Sequence, residues 1–209
     1  MIAVIDYGLG NLLSISNALE ELGQEFCITN KPEEIRKADK IILPGVGAFP
    51  DGMKNLKAAG LIDVLNEEVI DKKKPFLGIC LGLQLLAKEG FEGKQIDGLG
   101  WIDGVVKKIE VSNGLKLPHM GWNDIKILKK DYFNEVEFDK NFYFVHSYAL
   151  FCNDKKDIAA TCNYGSDLVA AVQKGNIFAT QFHPEKSHKV GLQVLKNFLN
   201  YEKVEEQNA

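Results

Sequence analysis

The 209-residue sequence has no Cys-x-x-Cys pair, no phosphate-binding Gly-x-x-x-x-Gly-Lys loop, and no apolar run near the ~20 residues that a membrane span needs. Its four cysteines, Cys27, Cys80, Cys152 and Cys162, stand far apart. That spacing argues against a structural zinc site or a disulfide framework and reads each first as a small buried hydrophobe. Blocks of Lys and Arg interleaved with aromatics are also missing, and 25 basic against 29 acidic side chains leave a formal net charge of −4. Nucleic acid and membrane are therefore not expected as partners. The opening Met-Ile-Ala-Val-Ile meets Asp6 too soon for a signal peptide, so the expected location is cytoplasmic. Gly8-Leu9-Gly10 does not complete a dinucleotide fingerprint, because Leu13 stands where the third glycine belongs. No cofactor and no metal is expected.

What is present is enough apolar content for a core. The sequence is 45% hydrophobic, and a chain of this size buries roughly 70% of its unfolded surface. Over the first 90 residues, apolar runs alternate with helical patterns. Ile2 to Asp6 reads as a strand ending at the turn Tyr7-Gly8-Leu9-Gly10, and Leu12, Ile15, Leu19 and Leu22 recur at helical spacing until Gly23. Phe26 to Thr29, Lys40 to Leu43 and Pro75 to Ile79 read as further strands, with helices at Pro32 to Lys37 and through Leu56, Leu61 and Val69. Strands separated by helices imply βαβ units and a parallel sheet.

Beyond residue 100 the texture changes to short strand-like runs: Val105 to Val111, Phe142 to Val145, Leu168 to Gln173 and Ile177 to Gln181. A last helix carries Val190, Val194, Leu195 and Phe198 on one face. The expected fold class is α/β, a single domain over residues 1–201 with one mixed, mostly parallel sheet flanked by helices, followed by a frayed polar tail over 202–209. Lys72-Lys73-Lys74 reads as a solvated helix end.

Gly78-Ile79-Cys80-Leu81-Gly82 has the form of a nucleophile elbow with cysteine in place of serine. The glycines let a strand turn sharply into a helix, and the turn holds the sulfur clear of the sheet at a helix start that favours thiolate. The Leu81 N–H then points where an oxyanion would form. About 100 residues on, Gln181-Phe182-His183-Pro184-Glu185 follows a strand. Two residues apart in extended chain, His183 and Glu185 project to one side, so the carboxylate can accept one imidazole N–H while the other nitrogen faces a thiol. Either motif alone is weak, but a cysteine elbow with a strand-terminal His-x-Glu is what a cysteine, histidine, carboxylate triad requires.

Residues 75–86 (Pro-Phe-Leu-Gly-Ile-Cys-Leu-Gly-Leu-Gln-Leu-Leu) and 181–187 (Gln-Phe-His-Pro-Glu-Lys-Ser) together resemble the class I glutamine amidotransferases. Residues 5–12, 43–49, 118–123 and 143–148 resemble, within that class, the histidine-pathway glutaminase subunits. The resemblance implies a flavodoxin-like fold and a glutaminase in which Cys80 attacks the glutamine amide, His183 carries the proton to departing ammonia and Glu185 fixes the imidazole. It implies an oxyanion hole from Leu81 with the turn at Val46 and Gly47, and it puts L-glutamine against Gly47, Gln84, Glu92, His146, Ser147 and Tyr148. Gln84 has an ordinary reading as a solvated helix residue, and His146 as a core histidine.

The resemblance also implies where ammonia goes. A barrel-shaped, HisF-like cyclase would form a heterodimer with this chain, receive ammonia through a channel, and face Asn11, Trp122 and Lys186. Trp122 has an ordinary reading as a core aromatic. Ser16-Asn17 stands where the family often carries a basic side chain, and His188-Lys189 where a small residue is common. Those departures keep open a paralogue that supplies ammonia for sugar amidination. A stand-alone cysteine hydrolase and an inactive interaction module are the remaining readings. The block at 118–123 and the absence of cleft-forming insertions count against the first, and the intact Cys80, His183 and Glu185 against the second.

Overall fold

A computed structural model describes residues 1–111, 114–136 and 140–201; the expected frayed tail at 202–209 lies outside the described residues. The first half comprises β1 (Ile2–Ile5), α1 (Leu12–Glu21), β2 (Phe26–Thr29), α2 (Pro32–Lys37), β3 (Lys40–Gly45), α3 (Phe49–Ala58), α4 (Leu61–Leu65), β4 (Phe76–Cys80) and α5 (Leu81–Gln84). The second half comprises β5 (Ala87–Gly90), β6 (Ile96–Asp97), β7 (Ile102–Lys108), β8 (His119–Ile127), β9 (Asn141–His146), β10 (Tyr148–Cys152), β11 (Ile158–Asn163), β12 (Asp167–Lys174), β13 (Ile177–Thr180) and α6 (His188–Leu199). Local chemistry accounts for the element ends. Asn11 Oδ1 accepts the Ser14 N–H at 3.3 Å to start α1, and Gly23, at φ 66°, releases the chain after it. Pro32 opens α2, followed by Glu33 and Glu34 in its first turn.

Nine strands form the main sheet in the order β2-β1-β3-β4-β13-β12-β11-β8-β9. Pairings from β2 to β13 are parallel, and those from β13 to β9 are antiparallel. The expected single α/β domain with a large mixed sheet between helices is what folds, with the parallel part confined to one half of that sheet. β1, β3 and β4 are covered on both faces, which is why they read as unbroken apolar runs. One face packs on α1 and α6 through Ile15, Leu19, Val194 and Phe198. The other packs on α2, α3 and α4 through Ile35, Phe49, Leu56 and Val64.

A second sheet, in the order β10-β7-β5-β6, stands beside the one mixed sheet that the sequence leads one to expect. β5 has four residues and β6 two, too few to show alternation. It is anchored where Gly90 meets the Phe49 ring, since a Cβ on Gly90 would lie 2.6 Å from it. β7 starts three residues before the expected strand at Val105 and ends at Lys108. Lys72 and Lys74 are not simply a solvated end: both approach Glu68 at 2.7 Å, and that side chain is 1% exposed. Among the described residues no helix is long and apolar enough to cross a membrane.

The architecture brings three parallel strand ends side by side. Gly45 of β3 lies opposite Cys80 of β4, and Thr180 of β13 lies opposite Ile79. Open α/β sheets bind ligands outside these carboxyl ends.

Candidate active site

Cys80 ends β4 with φ 56° and ψ −106°. A non-glycine residue adopts such dihedrals only when its surroundings enforce them. Here the enforcement is close packing: a Cβ on Gly82 would lie 2.0 Å from Leu43 O, and one on Gly78 would lie 2.8 Å from Gly82 O. Strand and following turn thus meet more closely than any side chain permits. α5 is a single turn, so its start offers free N–H groups with little macrodipole behind them. The sequence-level expectation of a supporting helix dipole is accordingly reduced to those N–H groups.

His183 lies beyond the end of β13 and is pinned from three sides. Its N–H donates to Tyr143 O at 2.9 Å. The fully buried Ser187 donates from Oγ to His183 O at 2.6 Å and accepts the Tyr143 N–H at 3.0 Å. α6 seats directly beneath because residue 191 is glycine; a Cβ there would lie 1.9 Å from Pro184 O.

His183 Nδ1 meets Glu185 Oε1 at 2.7 Å, with the two side chains 1% and 3% exposed. A carboxylate only accepts, so Nδ1 carries the proton. Nε2 is buried without a hydrogen-bond partner, and His183 lines the same cavity as Cys80. Burial alone would push the imidazole pKa down, but the charge of the Cys80 sulfur, with that of Glu185 behind the ring, outweighs it and raises the pKa to about 10. The attraction to sulfur acts across the cavity, since Nε2 closes no hydrogen bond in this arrangement. A thiolate and an imidazolium facing each other across one cavity support each other's charge, which is the pairing a cysteine nucleophile uses.

That cavity is lined by every residue the resemblance placed around glutamine or its oxyanion: Val46, Gly47, Leu81, Gln84, Glu92, His146, Ser147 and Tyr148. Pro118 and Val145 complete the wall. Gln84 is buried, not solvated; its Nε2 donates to Tyr148 O at 2.9 Å. Glu92 Oε2 accepts the Phe49 N–H at 2.7 Å, which ties the cavity wall to the start of α3. The Val46 N–H donates to Leu9 O at 2.6 Å and is turned away from the cavity, so in this state Val46 contributes no oxyanion donor.

His146 is both a core and a wall residue. Its Nδ1 is 2.9 Å from Tyr148 O, a pure acceptor, so Nδ1 carries the proton. Nε2 then accepts from His119 Nδ1 at 2.9 Å, and His119 Nε2 accepts from Asn123 Nδ2 at 3.2 Å. Both rings must be neutral for this chain to close, and burial pushes both pKa values down to about 4. The pair fixes the 146–148 segment against β8. His119, Ser187 and Gln181 stand within the motifs at 118–123 and 181–187, but the sequence gives them no role of their own. The first two brace the site through partners on other strands, which no local spacing reveals.

The three residues assigned to a docking face lie outside the cavity. Trp122 is 46% exposed and stacks on His188 at 4.8 Å, so it is not a core aromatic. Lys186 is half-buried on the turn that carries Glu185, and Asn11 is half-buried with its side chain occupied as the α1 cap.

Residues 3–201 match the family described as glutamine amidotransferase class-I. The chain is 50% identical over 200 residues to imidazole glycerol phosphate synthase subunit HisH 2 of Methanococcus maripaludis, covering 95% of this chain and 98% of that one. It is 50% identical to subunit HisH 1 of Campylobacter jejuni over 199 residues and 47% identical to subunit HisH 2 of Pseudomonas aeruginosa over 200, each covering 95% of this chain and 98% of the relative. Among solved structures, PurLQS from Thermotoga maritima has a TM-score of 0.71 at 21% identity, covering 96% of this chain and 97% of that one. A glutamine amidotransferase crystal structure also has a TM-score of 0.71 at 21% identity, with 95% and 97% covered. At those identities the structures attest the fold.

Proposed function

The chain belongs to the class I glutamine amidotransferases, and on that footing we propose that it is the glutaminase subunit of an imidazole glycerol phosphate synthase in histidine biosynthesis. The observation that carries the reading is a thiol at a strained elbow facing a buried His183–Glu185 pair in one cavity, in a chain half identical to named subunits over nearly its whole length. Residues 1–201 act as one amidotransferase domain. Cys80 attacks the side-chain amide of glutamine, imidazolium His183 protonates the departing ammonia, and water hydrolyses the thioester to glutamate. Glu185 keeps the Nδ1 proton in place. Leu81 N–H stabilises the oxyanion, joined by the turn at Val46 and Gly47 once the Val46 N–H is released from Leu9 O, each aimed donor being worth about 3–4 kcal/mol. Gly47, Gln84, Glu92 and the segment His146-Ser147-Tyr148 hold glutamine.

Ammonia is then taken up by a HisF-like barrel cyclase, in a cytoplasmic heterodimer, to make imidazole glycerol phosphate and AICAR. The engaged Val46 N–H supports an idle subunit whose hole is completed on docking. A single donor worth about 3 kcal/mol corresponds to more than a hundredfold in rate. The test is glutamate release from the subunit alone, with the cyclase, and with the cyclase holding its nucleotide substrate. Stimulation of a hundredfold or more should appear in the last condition, and equal rates in all three would refute the coupling. Trp122→Ala should lower that stimulation at least ~10-fold, as an aromatic anchor does at an interface. Basal hydrolysis should stay within about twofold, because Trp122 does not touch the cavity. Full stimulation in a folded variant would remove Trp122 from the docking face.

A further inference from the structure

Gln181 is fully buried beside the nucleophile, and nothing in the mechanism above uses it. A buried primary amide is costly unless both of its ends are engaged. Both ends are engaged here: Oε1 accepts from Gln84 Nε2 at 3.0 Å, and Nε2 donates toward Cys80 Sγ at 3.6 Å. The direction is forced. Gln84 Nε2 also donates to Tyr148 O, which can only accept, so the nitrogen end of Gln84 faces both partners. Gln181 must then present oxygen to Gln84 and nitrogen to the sulfur.

The chain Tyr148 O, Gln84, Gln181, Cys80 Sγ therefore runs from the cavity wall to the nucleophile with each donor assigned. Sγ also donates toward Val145 O at 4.0 Å, a longer contact. His183 acts on the sulfur through its charge across the cavity. A fixed amide donor to the sulfur thus comes from outside the triad.

We propose that Gln181 is a further catalytic residue: its amide N–H supports and positions the Cys80 thiolate, and Gln84 links that support to the cavity wall that receives glutamine. Hydrogen bonds to charged groups are stronger than neutral ones. A donor fixed in place before the reaction helps hold the sulfur charge until the carbon–sulfur bond forms. Because Gln84 spans from the wall to Gln181, the position of the sulfur is tied to that of the 146–148 segment. This inference rests on Cys80 being the nucleophile.

The test uses the full chain. Gln181→Met keeps the volume and removes the donor, and Gln181→Glu keeps the shape while turning an acceptor toward the sulfur. Two quantities are measured on each: the rate at which iodoacetamide modifies Cys80, and the division of any loss between kcat and KM. Gln181→Met should slow modification about tenfold and lower kcat with KM nearly unchanged. Gln181→Glu should slow it further; if the Met variant does not fold, the Glu variant alone decides. Gln84→Met should slow modification similarly and also raise KM, and the double variant with Gln181→Met should be little worse than either single. A folded Gln181 variant with unchanged modification and kcat would overturn the proposal, as would effects of residues 84 and 181 that simply multiply. Adduct mapping to a cysteine other than Cys80 would overturn the glutaminase reading itself and is distinguished by that.

Discussion

Replacing Cys80 by alanine lowers glutamine hydrolysis by about 10⁴- to 10⁶-fold, the usual cost of removing the nucleophile of a triad. The expectation is specific because the other three cysteines offer no substitute. Cys152 and Cys162 are pushed up to about 12 by burial, and Cys27 is raised as well, so none supplies thiolate near neutral pH. The same variant, supplied with ammonia, should still support synthesis by the cyclase, because only the ammonia source has been removed. Circular dichroism should match the parent protein. More than a few per cent of residual glutaminase activity would show that another group does the chemistry.

His183→Ala should cost nearly as much, and Glu185→Gln distinctly less. The imidazole itself moves the proton, whereas the carboxylate sets its tautomer and sustains its charge. Glu185→Gln retains a side-chain oxygen to accept the Nδ1 proton, now met at 2.7 Å, but loses the negative charge. Since that charge is one of the causes raising His183 to about 10, its loss lowers the pKa. The alkaline limb of the pH–rate profile should therefore move to lower pH. Equal losses in the two variants, or an unmoved limb, would mean the roles of His183 and Glu185 are assigned wrongly.

What could be read in advance was whatever chain neighbours determine. β1, β3 and β4 are legible because strands covered on both faces are continuous apolar runs, and the elbow is legible because its glycines flank Cys80 directly. β8 was not read as a strand. Buried His119 and Ile125 alternate there with exposed Met120 and Trp122, which leaves too few apolar positions on the inner face to set a period. The same limit hid Gln181 and Ser187. Each is an ordinary polar end of the 181–187 motif, and their partners, Gln84 and Tyr143, are supplied from other parts of the chain. The orientation of the Val46 peptide likewise depends on Leu9 O, which only the fold delivers. Lys74 read as solvated because buried Glu68, six residues earlier, appears in sequence as part of a charged helix face.

The central claim is that Cys80 attacks the side-chain carbonyl of glutamine, and a diazoketone analogue of glutamine tests it most directly. The analogue occupies the glutamine pocket and alkylates whatever nucleophile meets its reactive carbon. Peptide mapping by mass spectrometry should find one adduct, on Cys80, formed more slowly as glutamine is added and absent in His183→Ala on the same timescale. Adducts distributed over Cys27, Cys80, Cys152 and Cys162, or labelling of Cys80 that glutamine does not slow, would contradict the account.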